Sequence, residues 1–479
     1  MRRAVWMLAL VALGVGGCVN QQKEVATYRA VLDQHFAATT QPVDAAAPLK
    51  LSAALARANG TSEQLAMAGE GYLQALIAKD RAAATFLPQI SLAPLYSHVD
   101  TFSTAGFPST FAAVFPVHYF DLPLKTSLDL NVVQDLADVH RAGRTAQQRR
   151  ALLLDLQETV LLQTCDAFYD VLIAQQQVGV LEHSLAVQNQ RVDSIQREFN
   201  AGTARQLDVL QSQADAAATQ VLLTDARNRL ATARSTLGFM IDSRSVPDTL
   251  LDDLHTPDAV PSAGVLTQRA LAQRADLAAA RRGVQAAEQA VRSAVGQYFP
   301  SIGLNLSNFL YRESFPSDSW WSAMVTANMP IFEAGIIHAN VRSALSELRQ
   351  AGLAERQLAR RIAEQVAIAR DNYLSSRQRL HDLGRELDAA QRAYEQAEHS
   401  FAAGTATNLD RLTAQDRALQ AALQVASERY TSKLRYLHLA RTLGRLEDAI
   451  TPPATAGNMA PAKAATTLPT RPAQTQAAR

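Results

Sequence analysis

Two cysteines and ten histidines are the side chains of this 479-residue sequence that could bind a metal or react covalently. Cys18 follows an apolar N-terminal run, whereas Cys165 falls within a helical pattern, as a small buried apolar residue would. Settings so different disfavour a disulfide or a shared metal site. No two histidines are spaced three or four residues apart, and no Gly-rich phosphate loop or nucleophile elbow occurs. The sequence therefore predicts no metal site, no cofactor and no catalytic residues.

The N-terminus offers one covalent chemistry, the acylation of a thiol. Two arginines precede an apolar run, and small residues then lead to a cysteine, as in a secretory signal. The order Val15-Gly16-Gly17-Cys18 resembles a bacterial lipobox. The resemblance implies that residues 1–17 are a lipoprotein signal peptide and that Cys18 carries lipid, and Val19 favours sorting to the outer membrane. The alternative is a plain cleaved signal with an incidental cysteine.

The charge balance and the hydropathy pattern exclude other classes of function. Lys and Arg number 46 against 45 Asp and Glu, so no net positive field exists to attract nucleic acid. Beyond the signal there is no apolar stretch of the roughly 20 residues that a membrane-spanning helix needs. A mature chain that crosses a bilayer must therefore do so with strands.

The chain contains an internal repeat. FNAGTARQLDVLQSQADA, from Phe199, matches FAAGTATNLDRLTAQDRA, from Phe401, at ten of eighteen positions. Upstream, the segment 86–90 has a counterpart in 298–302. We therefore divide the chain into a lipidated N-terminal linker, a first repeat, an inter-repeat linker, a second repeat and a disordered Pro/Ala/Thr-rich tail, with the bounds 18–50, 51–240, 241–265, 266–446 and 447–479.

Each repeat contains the pattern of a long helical hairpin. Apolar residues spaced by three and four predict helices from about 145 to 200 and from about 340 to 402, each on the order of 80 to 90 Å long. Both end at Ala-Gly-Thr, where Gly202 and Gly404 can adopt the left-handed conformation that stops a helix. A second helix begins almost at once in each repeat. Shorter helices are expected at about 51–86 and 266–298.

Four stretches alternate apolar and polar residues with the two-residue period of a strand. They cover about 90–96, 122–132, 302–306 and 321–329, and each is near the length that a tilted strand needs to cross a bilayer. Trp320 and Trp321, at the start of the last strand, favour anchoring at a membrane interface, with core packing as the alternative. The segments 97–121 and 309–319 are expected to be loops at the outer end of the sheet.

Four strands cannot close a barrel, and an open sheet edge in lipid leaves backbone groups unpaired. Copies of the chain must therefore share one barrel. Hairpins as long as these also need neighbouring hairpins to cover their apolar faces. The sequence thus predicts an α+β membrane protein that assembles into a hollow cylinder.

The repeat, its two tips, the stretch Arg274-Ala275-Asp276-Leu277 and the segment 329–335 after the last strand together resemble the TolC family. With the lipobox, the similarity is to the OprM-like outer-membrane lipoprotein branch. The resemblance covers roughly residues 51–446. It implies a homotrimer with a twelve-stranded outer-membrane barrel, a coiled-coil tunnel in the periplasm, and docking to a periplasmic adaptor and an inner-membrane pump. Ala275 stands where the branch usually has proline.

The resemblance also implies roles for the tips. Asp410 matches the first aspartate of the periplasmic gate, and the second gate position falls at Thr413, which puts a doubled acidic ring in doubt. Gly202-Thr203 and Gly404-Thr405 match the tips where the adaptor docks. The alternative for Asp410, as for Asp208, is that the carboxylate only complements the positive end of the helix that it begins.

The expected function is therefore an outer-membrane efflux duct that passes small molecules. Two alternatives remain open from the sequence: a TolC-like duct for type I protein secretion, and a periplasmic coiled-coil scaffold or adaptor lipoprotein that does not span the membrane.

Overall fold

The computed structural model describes residues 20–34, 36–41, 47–98, 118–257, 259–314, 316 and 318–450. The predicted signal peptide, Cys18 and nearly all of the predicted tail lie outside these residues. In chain order the elements are α1 (Gln21–Asp33), β1 (Leu49–Lys50), α2 (Leu51–Thr61), α3 (Glu63–Ala84), β2 (Gln89–Leu92), β3 (Leu95–His98), β4 (His118–Leu130), α4 (Val132–Asn200), α5 (Gln206–Met240), β5 (Leu250–Leu251), α6 (Ala263–Gln273), α7 (Ala275–Gly296), β6 (Ser301–Arg312), β7 (Trp321–Asn328), α8 (Ile336–Ala402), α9 (Asn408–Thr442) and α10 (Leu446–Ile450).

The same series of elements occurs twice. The helices α2 and α6 each have 11 residues, α3 and α7 each have 22, and α5 and α9 each have 35. The long helices α4 and α8 have 69 and 67 residues. At 1.5 Å per residue each is about 100 Å long. Each repeat is therefore a pair of short helices, two strands and a long hairpin, with the first strand of the first repeat divided into β2 and β3.

The long helices begin earlier than the sequence pattern suggested. Helix α4 starts at Val132 because the side chain of Asn131 caps it, accepting a hydrogen bond from Gln134 N at 3.1 Å. Strand β4 consequently ends at Leu130 rather than at 132. Helix α8 begins at Ile336 rather than near 340 because Gly335, at φ 83°, turns the chain into it.

The two short helical stretches are each broken once. Ser62 separates α2 from α3, with an extended backbone and a side chain that caps Leu65 N. Arg274, also extended, separates α6 from α7. Periodicity alone did not show these breaks, because an apolar pattern runs across both.

Five of the strands form one antiparallel sheet in the order β2, β4, β6, β7, with β3 also paired to β4, whereas β1 and β5 pair separately. The predicted first strand is thus two segments that share one partner. Strands β4 and β6 extend into the predicted loops, to His118 and to Arg312. Within the described residues, β7 has a paired strand on one side only, and so do β2 and β3. The sheet therefore has two open edges.

The described part of the predicted linker 18–50 includes a helix and a short strand that pack on the rest of the chain. Tyr28 and Leu32 of α1 are buried one helical turn apart, and the Tyr28 ring lies where a side chain on Gly69 of α3 would stand. Leu49 in β1 pairs with Leu250 in β5, inside the inter-repeat segment. Helix α1 lies in a polar stretch and has few apolar residues. These are enough to pack it against α3, because Gly69 of α3 leaves room for the Tyr28 ring. Helix α10 similarly crosses the predicted start of the tail, and Ile450 is buried.

The main core surrounds the middle of α4. Phe168, Tyr169, Leu237 and Leu437 are fully or almost fully buried there, in a cluster that also takes residues from α2 and from the inter-repeat segment. A second cluster joins α6, α7, α8 and α9. Among the described helices, none is long and apolar enough to span a bilayer.

A partly buried ionic network connects the two repeats beside this core. Arg441 in α9 contacts Asp155 at 2.6 Å and Glu158 at 3.1 Å, both in α4. Arg274 pairs with Asp276 at 2.6 Å and donates a hydrogen bond to Gln365 in α8. Burial raises the pKa of Glu158 to about 7, against the attraction of Arg441.

We expect the stability of this junction to depend on pH through Glu158. Between pH 4.5 and about 7 the folded state holds a proton that the unfolded state releases, so stability is gained as pH falls through this window. At pH 8 the charged, buried carboxylate is unfavourable. Glu158→Gln should therefore stabilise the protein by about 2 kcal/mol at pH 8 and have little effect at pH 5.

Thermal unfolding followed by circular dichroism at the two pH values measures this difference. The control is Glu364→Gln, on the exposed face of α8. Equal shifts for Glu158→Gln at pH 5 and pH 8 would contradict the prediction.

Candidate functional site: the tips of the helical hairpins

Both hairpins turn with the same backbone geometry. Gly202 and Gly404 have φ angles of 78° and 76°, in the left-handed region that glycine adopts freely. The following threonines, Thr203 and Thr405, each use the backbone N–H and the hydroxyl to donate to one carbonyl of the preceding helix, at 2.9 to 3.0 Å. The Gly-Thr pairs are therefore explained by the turn itself, and they are also exposed.

Equivalent aspartates begin the second helix of each hairpin but differ in their partners. Asp410 accepts hydrogen bonds from the Thr407 hydroxyl at 2.6 Å and from Thr407 N at 2.9 Å. These neutral donors hold the pKa of Asp410 below its usual value. Asp208 instead pairs with the Arg205 guanidinium at 2.9 Å, which lowers its pKa. Both carboxylates cap a helix. Within the described residues, Asp208 has a cationic partner at the tip, whereas Asp410 has none.

Thr413, at the predicted second gate position, carries a hydroxyl and no charge. Its side chain is exposed, and its hydroxyl donates to Leu409 O of the same helix at 2.8 Å. Three residues beyond it Asp416 is also exposed.

A cluster of polar side chains, which we call the tip cluster, ties the first hairpin to the second. Arg191 of α4 is 9% exposed. It contacts Glu398 Oε2 at 2.5 Å and also donates to the Tyr394 hydroxyl and the Gln415 amide oxygen. These three partners lie on α8 and α9. The cluster therefore links helices that belong to different repeats.

Arg411 completes the tip cluster. It is 4% exposed, donates to Asn408 Oδ1 at 2.7 Å and lies 3.6 Å from Glu398 Oε1. Its guanidinium stands 4.1 Å from the centre of the Phe401 ring. Burial, and then the charge of Arg191, lower the pKa of Arg411. Two guanidinium groups thus share the carboxylate of Glu398.

Sequence analysis did not identify the tip cluster. Arg191 lies about two hundred residues before Tyr394 and Glu398 in the chain. One local signal was available: Arg191 follows Gln188 by three residues, so polar side chains continue the seam of α4 where apolar ones are the rule.

The tryptophans predicted at the membrane interface lie at one end of the sheet. Trp320 and Trp321 are 62% and 65% exposed, so neither packs in the core of the chain. Three further exposed aromatic side chains lie at the same end: Tyr96, Phe120 and Tyr311.

Within the described residues, no group of three or more His, Cys, Asp or Glu could hold a metal ion.

The sequence of this chain is similar to those of known proteins. Residues 266–445 match the family described as outer membrane efflux protein. The chain is 23% identical over 392 residues to the outer membrane protein TolC of Salmonella enteritidis, covering 77% of this chain and 76% of TolC.

Two solved structures have the same fold. That of CusC aligns with a TM-score of 0.73 and 18% identity, over 82% of this chain and 92% of CusC. That of the outer membrane protein VceC from Vibrio cholerae aligns with a TM-score of 0.72 and 19% identity, over 82% of this chain and 96% of VceC.

We expect Glu398 to hold the tip together. Glu398→Gln leaves two buried guanidinium groups without a counter-charge, and because Glu398 is half exposed we expect a cost of about 1.4 kcal/mol. Amide hydrogen exchange across residues 396–412 should then accelerate about tenfold. Glu395→Gln, on an exposed face of the same helix, is the control. Unchanged exchange in Glu398→Gln would show that the tip cluster does not stabilise the tip.

Proposed function

Because residues 266–445 match the outer membrane efflux protein family and the chain is similar to TolC over 77% of its length, we propose that it is the exit duct of a tripartite efflux system. In this role it passes small molecules from a periplasmic adaptor and an inner-membrane pump across the outer membrane, and it catalyses no reaction. The observation that carries the proposal is a sheet with two open edges, continued directly by helices about 100 Å long.

We propose that three copies complete the barrel. The open edge formed by β7 would pair with the β2 and β3 edge of the next copy, giving a closed cylinder of twelve strands. The helices that follow the strands would then stand side by side and enclose a tunnel. Trp320 and Trp321, exposed at the sheet end far from the helices, fit anchors at the outer membrane interface.

The direction of α1 supports a lipid anchor on Cys18. Phe36 O accepts a hydrogen bond from Asn59 near the start of the short helices, whereas Tyr28 packs on Gly69, nearer to the sheet. The chain therefore runs toward the sheet as it is followed back to its start. Asn20 lies eight residues beyond Tyr28, about 12 Å farther along the helix. Acylation of Cys18, two residues earlier, would place the lipid toward the membrane and fits the OprM-like lipoprotein branch.

We assign the periplasmic gate to the hairpin tips. In a trimer, three copies of Asp410 would form a ring of negative charge, while the Arg205 pair neutralises Asp208 in the first repeat. Thr413 takes the second gate position without adding charge. The exposed pairs Gly202-Thr203 and Gly404-Thr405 would meet the adaptor.

Planar bilayer recordings test the gate. Asp410→Asn keeps an oxygen that can accept the hydrogen bonds from Thr407 but removes the charge. We expect the cation-to-anion permeability ratio to fall at least about twofold. Asp208→Asn combined with Arg205→Gln, which removes the neutral ion pair of the first repeat, should leave this ratio unchanged. An unchanged ratio in Asp410→Asn would mean that Asp410 is a helix cap and nothing more.

Two measurements separate the proposed duct from its alternatives. Carbonate extraction of membranes should leave the protein in the pellet; release as a monomer would favour the scaffold or adaptor. Purification from cross-linked cells should recover an adaptor together with a pump that exports small molecules. Recovery with the transporter of a type I secretion system would instead assign the duct to proteins.

A further inference from the structure

The segment between β7 and α8 exposes two large apolar side chains. Ile331 and Phe332, which we call the shoulder, are 97% and 87% exposed. The shoulder is followed by Ala334 and Gly335, both with positive φ, and Ile336 N donates to Glu333 O at 2.9 Å. A defined turn thus presents the shoulder, and the cost of leaving so much apolar surface in water calls for a partner.

The internal repeat identifies the positions that correspond to the shoulder. Ile90 and Ile302 are equivalent, because each follows the matched proline at the start of its strand. Ile90 pairs with Thr126, and Ile302 pairs with Ala327. Thr126 of β4 and Ala327 of β7 are therefore equivalent.

Counting onward from this pair, Leu130 corresponds to Ile331 and Asn131 corresponds to Phe332. Leu130 ends strand β4, whereas Ile331 lies three residues beyond the end of β7 at Asn328, and both Asn131 and Phe332 lie between the strand and the long helix. Three extra residues then follow in the second repeat before its helix begins, because α4 starts at Val132 and α8 at Ile336.

In the first repeat these positions contact the second repeat directly. Leu130 pairs with Ile302 across the junction of β4 and β6. The Asn131 side chain donates to Gly296 O at 2.9 Å and to Phe299 O at 3.3 Å, at the end of α7. A junction between repeats is thus fixed where the sheet meets the helices.

Among the residues that the structure describes, the equivalent junction of the second repeat has no partner within one chain. Its counterparts of Ile302 and Phe299 are Ile90 and Leu87, at the open edge formed by β2. Leu87 is 65% exposed and Ile90 is 60% exposed. The contact at the first junction is polar, because Asn131 makes it. At the second junction the equivalent positions carry apolar side chains on both sides, Phe332 on one and Leu87 on the other.

We propose that the shoulder packs on Leu87 and Ile90 of the next copy of the chain. Ile331 lies opposite Ile90, and Phe332 covers Leu87, where Asn131 binds the end of α7 in the first repeat. The contact seals the subunit junction at the base of the sheet. This inference rests on the proposed trimer and adds the side chains that join its subunits. The partner is a second copy of the chain rather than lipid, because the internal junction shows how the equivalent positions pack on one another.

Disulfide trapping in outer membranes tests the contact. Leu87→Cys with Phe332→Cys should convert most of the protein to a covalent trimer on oxidation, visible on denaturing non-reducing gels. Asn131→Cys with Phe299→Cys, the internal equivalent, should cross-link within one chain and leave a monomer. Cys165 is fully buried and should not compete. Phe332→Cys with Gly71→Cys, far down α3, should form no trimer.

A second pair separates this inference from the trimer. Leu124 pairs with Asn308 inside the chain, and the equivalent positions are Val325 and Tyr96. Val325→Cys with Tyr96→Cys should therefore also trap a covalent trimer. If this pair cross-links but the shoulder pair does not, the shoulder inference is wrong and the trimer stands. If neither pair cross-links, the trimer fails as well.

A photo-cross-linker tests what covers the shoulder. Benzoylphenylalanine at position 332 should give an adduct of two copies of the chain. Adducts with lipid alone would overturn the proposal, because the shoulder would then face the bilayer.

Discussion

A sheet inside lipid has no water to satisfy its unpaired backbone groups, and this constraint decides the architecture of the protein. Each unpaired N–H or C=O costs several kcal/mol there. One chain leaves such groups along β7 on one side and along β2 and β3 on the other. Pairing these edges between copies removes the cost. The hairpins that continue the strands are then brought side by side, where their apolar seams can pack.

The internal duplication makes the two kinds of junction comparable. One junction, between β4 and β6, lies inside the chain and is held by Asn131 at its base and by the tip cluster at the far end. The other lies between copies and presents apolar side chains at its base. The tips also differ, because Arg205 neutralises Asp208 whereas Asp410 has only neutral partners. In the proposed trimer, two similar repeats would therefore form a closed ring in which three positions, rather than six, carry the charge of the proposed gate.

The sequence predicted those features that local chemistry determines. The tips were predictable because glycine at positions 202 and 404 suits a left-handed turn, and the strands were predictable from their alternation. Features that depend on distant partners were not. Helix α1 has few apolar residues, and its burial depends on Gly69 of α3. The tip cluster joins Arg191 to Glu398, whose proximity only the folded hairpins create. The start of α4 was missed because the Asn131 cap is a single residue outside the apolar period.

The central claim is that one chain cannot complete its sheet and that three copies do so together. Native mass spectrometry of the mature protein, released from detergent micelles in the gas phase, measures this directly. We expect a single species with the mass of three chains, retained after the micelle is removed. A stable species of one chain, with its sheet protected from hydrogen exchange along β7 and β2, would contradict it.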